Sequence, residues 1–393
     1  MAATLTILSI SILVFAYGGY VLPAWLWMKI SPAPKRVKSN VLPTVTFIVA
    51  AYNEEDIIEE KINNCLSLIY PKDKINFLFV TDGSTDKTAQ IISTYPSIQL
   101  QNHPLRDGKS MAINRAMQTI NAEIVVFSDA NTLLNDQALL HMAEAFFDPR
   151  VGGVAGEKKV FRLQQGGANT EGEGLYWKYE SWLKNFDARF HSTVGAAGEL
   201  FAIRSSLYSH TPREVLLDDF IISMKICLAG WKIAYTQKAI ASEYPSENLM
   251  EEKKRKKRIA TGAFQSVFLL KELFHFWKHP RLTYLYISHR LMRWIICPFL
   301  LPVLFFTNLM ALDNQPGIFI LVLFYAQCCF YMFAITGAWL DAKNLKHPIC
   351  SIPFYFVFMN LNMYIGLIQY LKTTPTGIWE KASRIKKPHS EKY

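Results

Sequence analysis

Residues 5 to 28 of this 393-residue chain carry no charge. About 20 apolar residues suffice to cross a bilayer, so the run is either a spanning helix or a leader removed after export. A leader has a basic start, a short apolar core and small residues at a cleavage site. This run lacks the first and last of these and is too long for the second, so it is read as a membrane anchor. Lys29, Lys35, Arg36 and Lys38 follow, then a proline-marked linker ending near Pro43. Basic residues flanking a span stay cytoplasmic. That rule puts the amino terminus outside a plasma (inner) membrane and the middle of the chain in the cytoplasm.

Uncharged apolar runs return at 294–312, 317–340 and 349–371. The turn Asp313-Asn314-Gln315-Pro316 has no basic residue, while Asp341 to His347 holds Lys343 and Lys346, an alternation that fits outside then inside. Three spans would leave the tail, with Lys381, Arg384, Lys386 and Lys387, on the wrong side of that rule. The last run also contains Asn360, Asn362 and Gln369, so it either spans, re-enters, or lies against other helices. The chain divides into an anchor and linker (1–43), a central domain (44–265), an interfacial amphipathic helix (266–290, with Phe274, Phe276 and Trp277), a membrane region (291–371) and a basic tail (372–393). The net charge of +10 gathers beside the membrane runs and in Lys253 to Arg258. This suits anionic lipid headgroups and phosphate substrates; with no nucleic-acid module present, nucleic acid is not an expected partner. The scattered cysteines show no metal spacing.

Between the membrane regions, short apolar runs alternate with helix-period segments, the pattern of βα units. Strands are expected at 44–50, 75–81, 97–101, 123–129 and 151–160, and helices at 54–68, 86–94, 108–120 and 135–147. Ligands of open α/β sheets sit beyond the carboxyl ends of the strands, and this chain places acids there. Asp82 closes one apolar run and Asp129 another; Asp218 and Asp219 precede the apolar helical segment Phe220 to Leu228. A capped βα loop or a helix N-terminus explains any one of these alone. The stripe Tyr176, Tyr179, Trp182, Leu183, Phe186 and Phe190 has helical spacing and is read as core.

Taken together, Ala50-Ala51-Tyr52-Asn53-Glu54-Glu55, Thr81-Asp82-Gly83-Ser84-Thr85-Asp86, Gly108-Lys109-Ser110-Met111-Ala112-Ile113-Asn114 and Asp129-Ala130-Asn131 resemble the successive motifs of family two glycosyltransferases. Their order is similar to that of the membrane-embedded polysaccharide synthases for cellulose, chitin, hyaluronan and poly-N-acetylglucosamine. The resemblance implies a GT-A fold, a Rossmann-like, mostly parallel sheet, with one amino-terminal and about three carboxyl-terminal transmembrane helices. It also implies an inverting transfer from a UDP-sugar to a glycan or lipid-linked acceptor.

Carried over residue by residue, Ala51, Tyr52, Glu54 and Asp82 would surround the uracil and ribose, and Lys109 would lie near the nucleotide. Asp129 would be the first acid of the DxD motif, holding the sugar diphosphate through Mg²⁺ or Mn²⁺. The second acid is replaced by Asn131, which ligates through an amide oxygen but adds no charge. Asp219 would be the base, with Asp218 standing where Glu is usual, and Gly198 and Glu199 would border the acceptor. The QxxRW landmark survives only as Arg258, its tryptophan position occupied by Ile259. The reading is therefore a polysaccharide-extending transferase that threads its product outward. The alternatives are a transferase adding one sugar to a lipid carrier or glycolipid, and a silent membrane subunit of a synthase complex.

Overall fold

The uncharged amino-terminal run forms two helices rather than the single span expected. In the computed structural model, described for residues 1–31, 41–161, 168–246, 249–313, 316–343, 345 and 347–378, α1 (Ala2–Val14) and α2 (Val21–Ile30) flank a π-helical turn at Phe15–Gly19. Gly18 sits there at φ +147°, a conformation that only glycine enters without steric cost. The backbone freed by the break is satisfied from the catalytic domain, since the Tyr179 hydroxyl donates to the Tyr17 carbonyl at 2.8 Å. α1 leaves Leu5, Ile7 and Leu8 exposed as a lipid-facing helix would. α2 docks instead: Tyr20 and Ala24 are fully buried, and the Trp27 ring meets Phe190 and Tyr284 edge-on.

The catalytic domain is one eight-stranded sheet: β1 (Val45–Ala51), β2 (Ile75–Asp82), β3 (Ile98–His103), β4 (Ile124–Asp129), β5 (Thr132–Leu134), β6 (Val151–Val160), β7 (Leu200–Arg204) and β8 (Lys232–Glu243). The spatial order is β3-β2-β1-β4-β7-β6-β8-β5. From β3 to β4 it is parallel, with α3 (Ile58–Leu66), α4 (Thr88–Ser93) and α5 (Lys109–Met117) as crossovers. Beyond β4 the sheet is mixed, because β7 runs antiparallel to both β4 and β6. The five expected strands and four expected helices, the last being α6 (Ala138–Ala145), are all present. Of the unexpected strands, β8 is parallel to β6, while β5 and β7 run antiparallel to their neighbours and make the sheet less parallel than the βα pattern suggested. Separate apolar cores cover its two faces, one including α3 and α6, the other α2, α7 (Ala168–Phe190) and α8 (Asp218–Leu228).

The stretch 266–290 is not one interfacial helix. α9 (Leu249–Leu269) runs past the expected boundary, a 3₁₀ turn follows at Lys271–Phe274, and Pro280 opens a new helix, as proline does at a first helical position. From there α10 (Pro280–Leu285) continues through a π-helical stretch into α11 (Cys297–Met310) as a 34-residue rod, Pro280–Asp313. With α12 (Ile318–Ala342), α13 (Pro348–Lys372) and Ala2–Gly19, four helical stretches among the described residues are long and apolar enough to cross a membrane. Asn308 and Gln327 bond each other between α11 and α12 at 2.9 Å, the interhelical reading of their polarity.

The last of the four helices packs differently from the rest. α13 lies along α9 for most of its length, from Tyr355, in a cluster with Leu249 and Tyr176, to Tyr370, stacked on Phe268. Midway, Gly366 abuts Ala260 and Thr261. Past its end, Gly377 reaches Gly108 and Arg213 of the catalytic domain. The charges Lys35, Arg36, Lys38, Lys346, Lys381, Arg384, Lys386 and Lys387, and the turn residues Asn314 and Gln315, lie outside the described residues.

Candidate active site

Three acids from two sequence-distant segments meet at the carboxyl end of the parallel strands. Asp129 ends β4 and receives the Lys109 ammonium, from the first turn of α5, at 2.6 Å. Asp218 and Asp219 open α8. Gly198 joins the two groups: a Cβ placed there would lie 3.1 Å from Lys109 Nζ, 3.4 Å from Asp219 Oδ2 and 3.7 Å from Asp129 Oδ1. The small residues before β7 thus leave room at the point where the charged groups converge. Arg258 of α9 closes the cluster, and all of these residues line one cavity of about 540 Å³.

The electrostatics separate the roles of these groups. Burial, and then the neighbouring Asp218 charge, push the Asp219 carboxyl up to about 7. Its Oδ1 accepts the Phe220 N–H at 2.8 Å, and its Oδ2 points toward Gly198. A carboxylate that holds its proton near neutrality suits proton transfer. Lys109 goes the other way: burial opposes its charge, yet Asp129, with Asp218 and Asp219 behind it, raises the ammonium above the usual lysine value. Burial also lowers Arg258, while Asp129, Asp218 and Asp219 sustain its charge. Beside Gly198 the cavity therefore presents the cations Lys109 and Arg258 and an acid, Asp219, whose proton is held near neutrality.

The motif loops around it are tied to one another. Asn53 holds φ +53° and accepts the Thr85 N–H at 2.8 Å, while the Glu54 N–H donates to Thr88 Oγ1 at 2.8 Å. Tyr52 is stacked under the Arg106 guanidinium at 3.8 Å, and Ala51 is buried in β1. Asp82 is buried and holds the loop before α5: it accepts the Asp107 and Gly108 N–H groups and pairs with Arg115. Asp82, His103 and Asp107 bring potential metal-ligand atoms within 4.8 Å of one another. Arg115, however, donates to both acids, and a guanidinium between them already supplies the countercharge.

Of the expected positions, Glu199 is engaged elsewhere. Glu199 lines the cavity, but its carboxylate is paired with buried Lys158; burial works against its charge and Lys158 more than reverses this, holding the group well below the usual range. Asn131 is half-buried on the turn after β4 and does not line the cavity. Sequence reasoning missed Lys61, whose buried ammonium supports the Asp129 turn through Ser128 Oγ and the Thr132 carbonyl, both at 2.7 Å. The signal was present, since Lys61 falls on the apolar face Ile58, Ile62 and Cys65 of α3. It also missed Trp177, which lines the cavity from α7. The α7 stripe divides in two: Leu183, Phe186 and Phe190 are core, Trp182 is half exposed, and Tyr176 and Tyr179 face the cavity.

Comparison with known proteins agrees with this geometry. Residues 46–210 match the Glycosyl transferase family 2 model. The poly-β-1,6-N-acetyl-D-glucosamine synthase of Staphylococcus aureus strain MSSA476 is 28% identical over 259 residues, 62% of this chain and 60% of that protein. The same enzyme of Staphylococcus epidermidis RP62A is 26% identical over 236 residues, 56% of this chain and 55% of that one. The chain thus spans about 60% of the length of the curated relatives it matches. A mannosyltransferase of Pyrobaculum calidifontis, solved in complex with GDP-Man and Mn²⁺, superposes with a TM-score of 0.69 over 95% of this chain and 99% of its own, at 21% identity. That likeness extends to the fold, including the flanking helices. Over residues 46–210 the chain is thus similar to glycosyl transferase family 2, and it shares the fold of a solved glycosyltransferase.

Proposed function

We propose that the protein is an inverting transferase that moves a sugar from a UDP-sugar to a hydroxyl of a glycan held at the membrane. The observation that carries this reading is the convergence of Lys109, Asp129 and Asp219 around Gly198. Asp219 removes the acceptor hydroxyl's proton as the oxygen bonds to the sugar's anomeric carbon and the bond from that carbon to the diphosphate oxygen breaks. One base on one side of the sugar and the leaving diphosphate on the other make a single displacement, so configuration inverts. Negative charge grows on the departing diphosphate, where Lys109 and Arg258 meet it without reorganising.

The residues present fit a divalent cation. Asp129 is one-third exposed toward the cavity, and Mg²⁺ is usually held by one or two carboxylates, substrate phosphates and water. Asp129 would hold Mg²⁺ or Mn²⁺ jointly with the diphosphate; the Asn131 ligation expected from the motif draws no support from a side chain outside the cavity. The ion would supply further positive charge at the leaving group. The packing of α13 along α9 supports a topology in which α1, the rod and α12 cross while α13 stays on the catalytic side. The basic tail then remains cytoplasmic, in accord with the charge rule.

The test is UDP release from a panel of UDP-sugars by the purified full chain with and without Mn²⁺, followed by the anomeric configuration and length of the product. A retained anomeric configuration would overturn the single displacement. Unchanged cellular product from Asp219→Asn at normal protein level would favour the silent-subunit reading.

A further inference from the structure

The cavity does not end at Asp219. It continues along α7 past Tyr176, Trp177 and Lys184, then between the rod and α13 as far as Tyr17 of the broken helix turn. Lys184 is 4% exposed and lines this passage, with no hydrogen bond or ion pair among the described residues. Its ammonium lies 5.7 Å from the Trp177 ring centroid and 5.9 Å from that of Tyr235. The carboxylates nearby are engaged elsewhere. Glu180, one turn away, is held by Arg293, Arg290 and His289; Glu199 is paired with Lys158; Glu157 accepts from Ser181 at 2.6 Å and from Tyr235.

Removing an ammonium from water is costly unless a partner restores the lost interactions. Burial, helped by the Arg290 charge, lowers the Lys184 pKa, an effect that Glu180, Glu199 and Glu157 offset only in part. A direct anionic partner, absent for Lys184 among the described residues, can come from a ligand in the cavity. Beside it, Trp177 offers an aromatic face of the kind on which a sugar ring stacks. Further along, Trp294, Phe356, Met359 and Met363 make an apolar wall between the rod and α13, which suits a hydrocarbon chain better than a polysaccharide.

We propose that the acceptor is a saccharide joined through a phosphate to a membrane lipid: the phosphate pairs with Lys184, a sugar rests on Trp177, and the lipid leaves along the apolar wall between the rod and α13. This inference rests on the transferase reading above and supplies its acceptor class.

The test is binding, without turnover, to the full chain in nanodiscs. The probes are farnesyl phosphoryl-glucose, the uncharged dodecyl glucoside and the lipid-free glucose 1-phosphate. The phosphoryl lipid is expected to bind tightest, and Lys184→Met to weaken it on the order of tenfold or more, the worth of a charged hydrogen bond. Lys184→Arg should recover most of that loss, and Trp177→Ala should weaken both glucosides. UDP affinity, measured on the same variants, should stay unchanged, which distinguishes a lost acceptor site from a misfolded chain. Equal binding of dodecyl glucoside, or no effect of Lys184→Met, overturns the phosphate contact; equal binding of glucose 1-phosphate overturns the lipid. Since no sugar is transferred, failure here leaves the Asp219 chemistry standing, and failure of that chemistry leaves this result readable.

Discussion

The two ends of the cavity hold similar kinds of charged groups in opposite states. At the strand ends, Asp219 has a single backbone donor and Asp129 a single lysine, and both face open space. At the membrane end the acids are buried and multiply paired. Glu180 meets Arg293 at 2.6 Å with Arg290 and His289 beside it, and Asp187 takes His289 and the Tyr20 hydroxyl. Chemistry needs an acid whose proton can move; anchoring a membrane rod to a catalytic domain needs acids whose charge cannot. Burial and partner number decide which of these a carboxylate becomes.

The comparison breaks most visibly at Asp219. Asp219→Asn should lower turnover by on the order of 10²–10⁴-fold while the protein still folds. The linkage has a definite sign: the folded carboxyl is near 7 against an ordinary 3.8, so ionisation between those values destabilises the folded state. Thermal melts should show the Asn variant more stable than wild type at about pH 8 and equal to it below about pH 4. A variant less stable than wild type at both would contradict the assigned state of Asp219.

Glu180 should behave in the reverse way. Removing one partner of a buried pair typically costs about 3–5 kcal/mol, so Glu180→Ala should lower the melting midpoint sharply, and Arg293→Met added to it should recover part of the loss. If the single variant melts like wild type, the membrane-end network is not structural. Arg258→Ala should next reduce turnover by on the order of 10²–10³-fold, with partial recovery in Arg258→Lys. Gly198→Ala places a methyl among Lys109, Asp219 and Asp129 and should cost about 10²-fold through misplacement alone.

The smallest effect sharpens the comparison within the acidic pair. Activity should rise with pH as Asp219 loses its proton around 7. In Asp218→Asn that limb should move to lower pH, because the second cause of the raised value is gone. A pH profile of kcat/KM reads this directly, and an unmoved limb would assign the titration to another group.

Much of the catalytic half was legible in the residues. The strands β1 to β4, with Asp82 and Asp129 at their ends, follow from local period and turn chemistry, which act over a few neighbours. The strands β7 and β8 escaped because four apolar residues and an arginine after a glycine-containing loop, or a strand with one half-exposed face, carry no distinctive period. Lys61, Lys184 and Trp177 escaped for a related reason: a charge or ring on a helix gives no sign in sequence of what it faces.

By itself, then, the sequence determined the βα half of the sheet, the acids at its strand ends and the apolar lengths of the membrane runs, since each depends on residues close along the chain. Tertiary structure alone decided that Asp129 and Asp219 share one cavity, that α13 lies along α9, and that Lys184 is buried without a direct ion pair among the described residues. Each of those is a meeting of segments far apart in the chain, and a group's burial and partners, which set its charge and its use, exist only once those segments have packed.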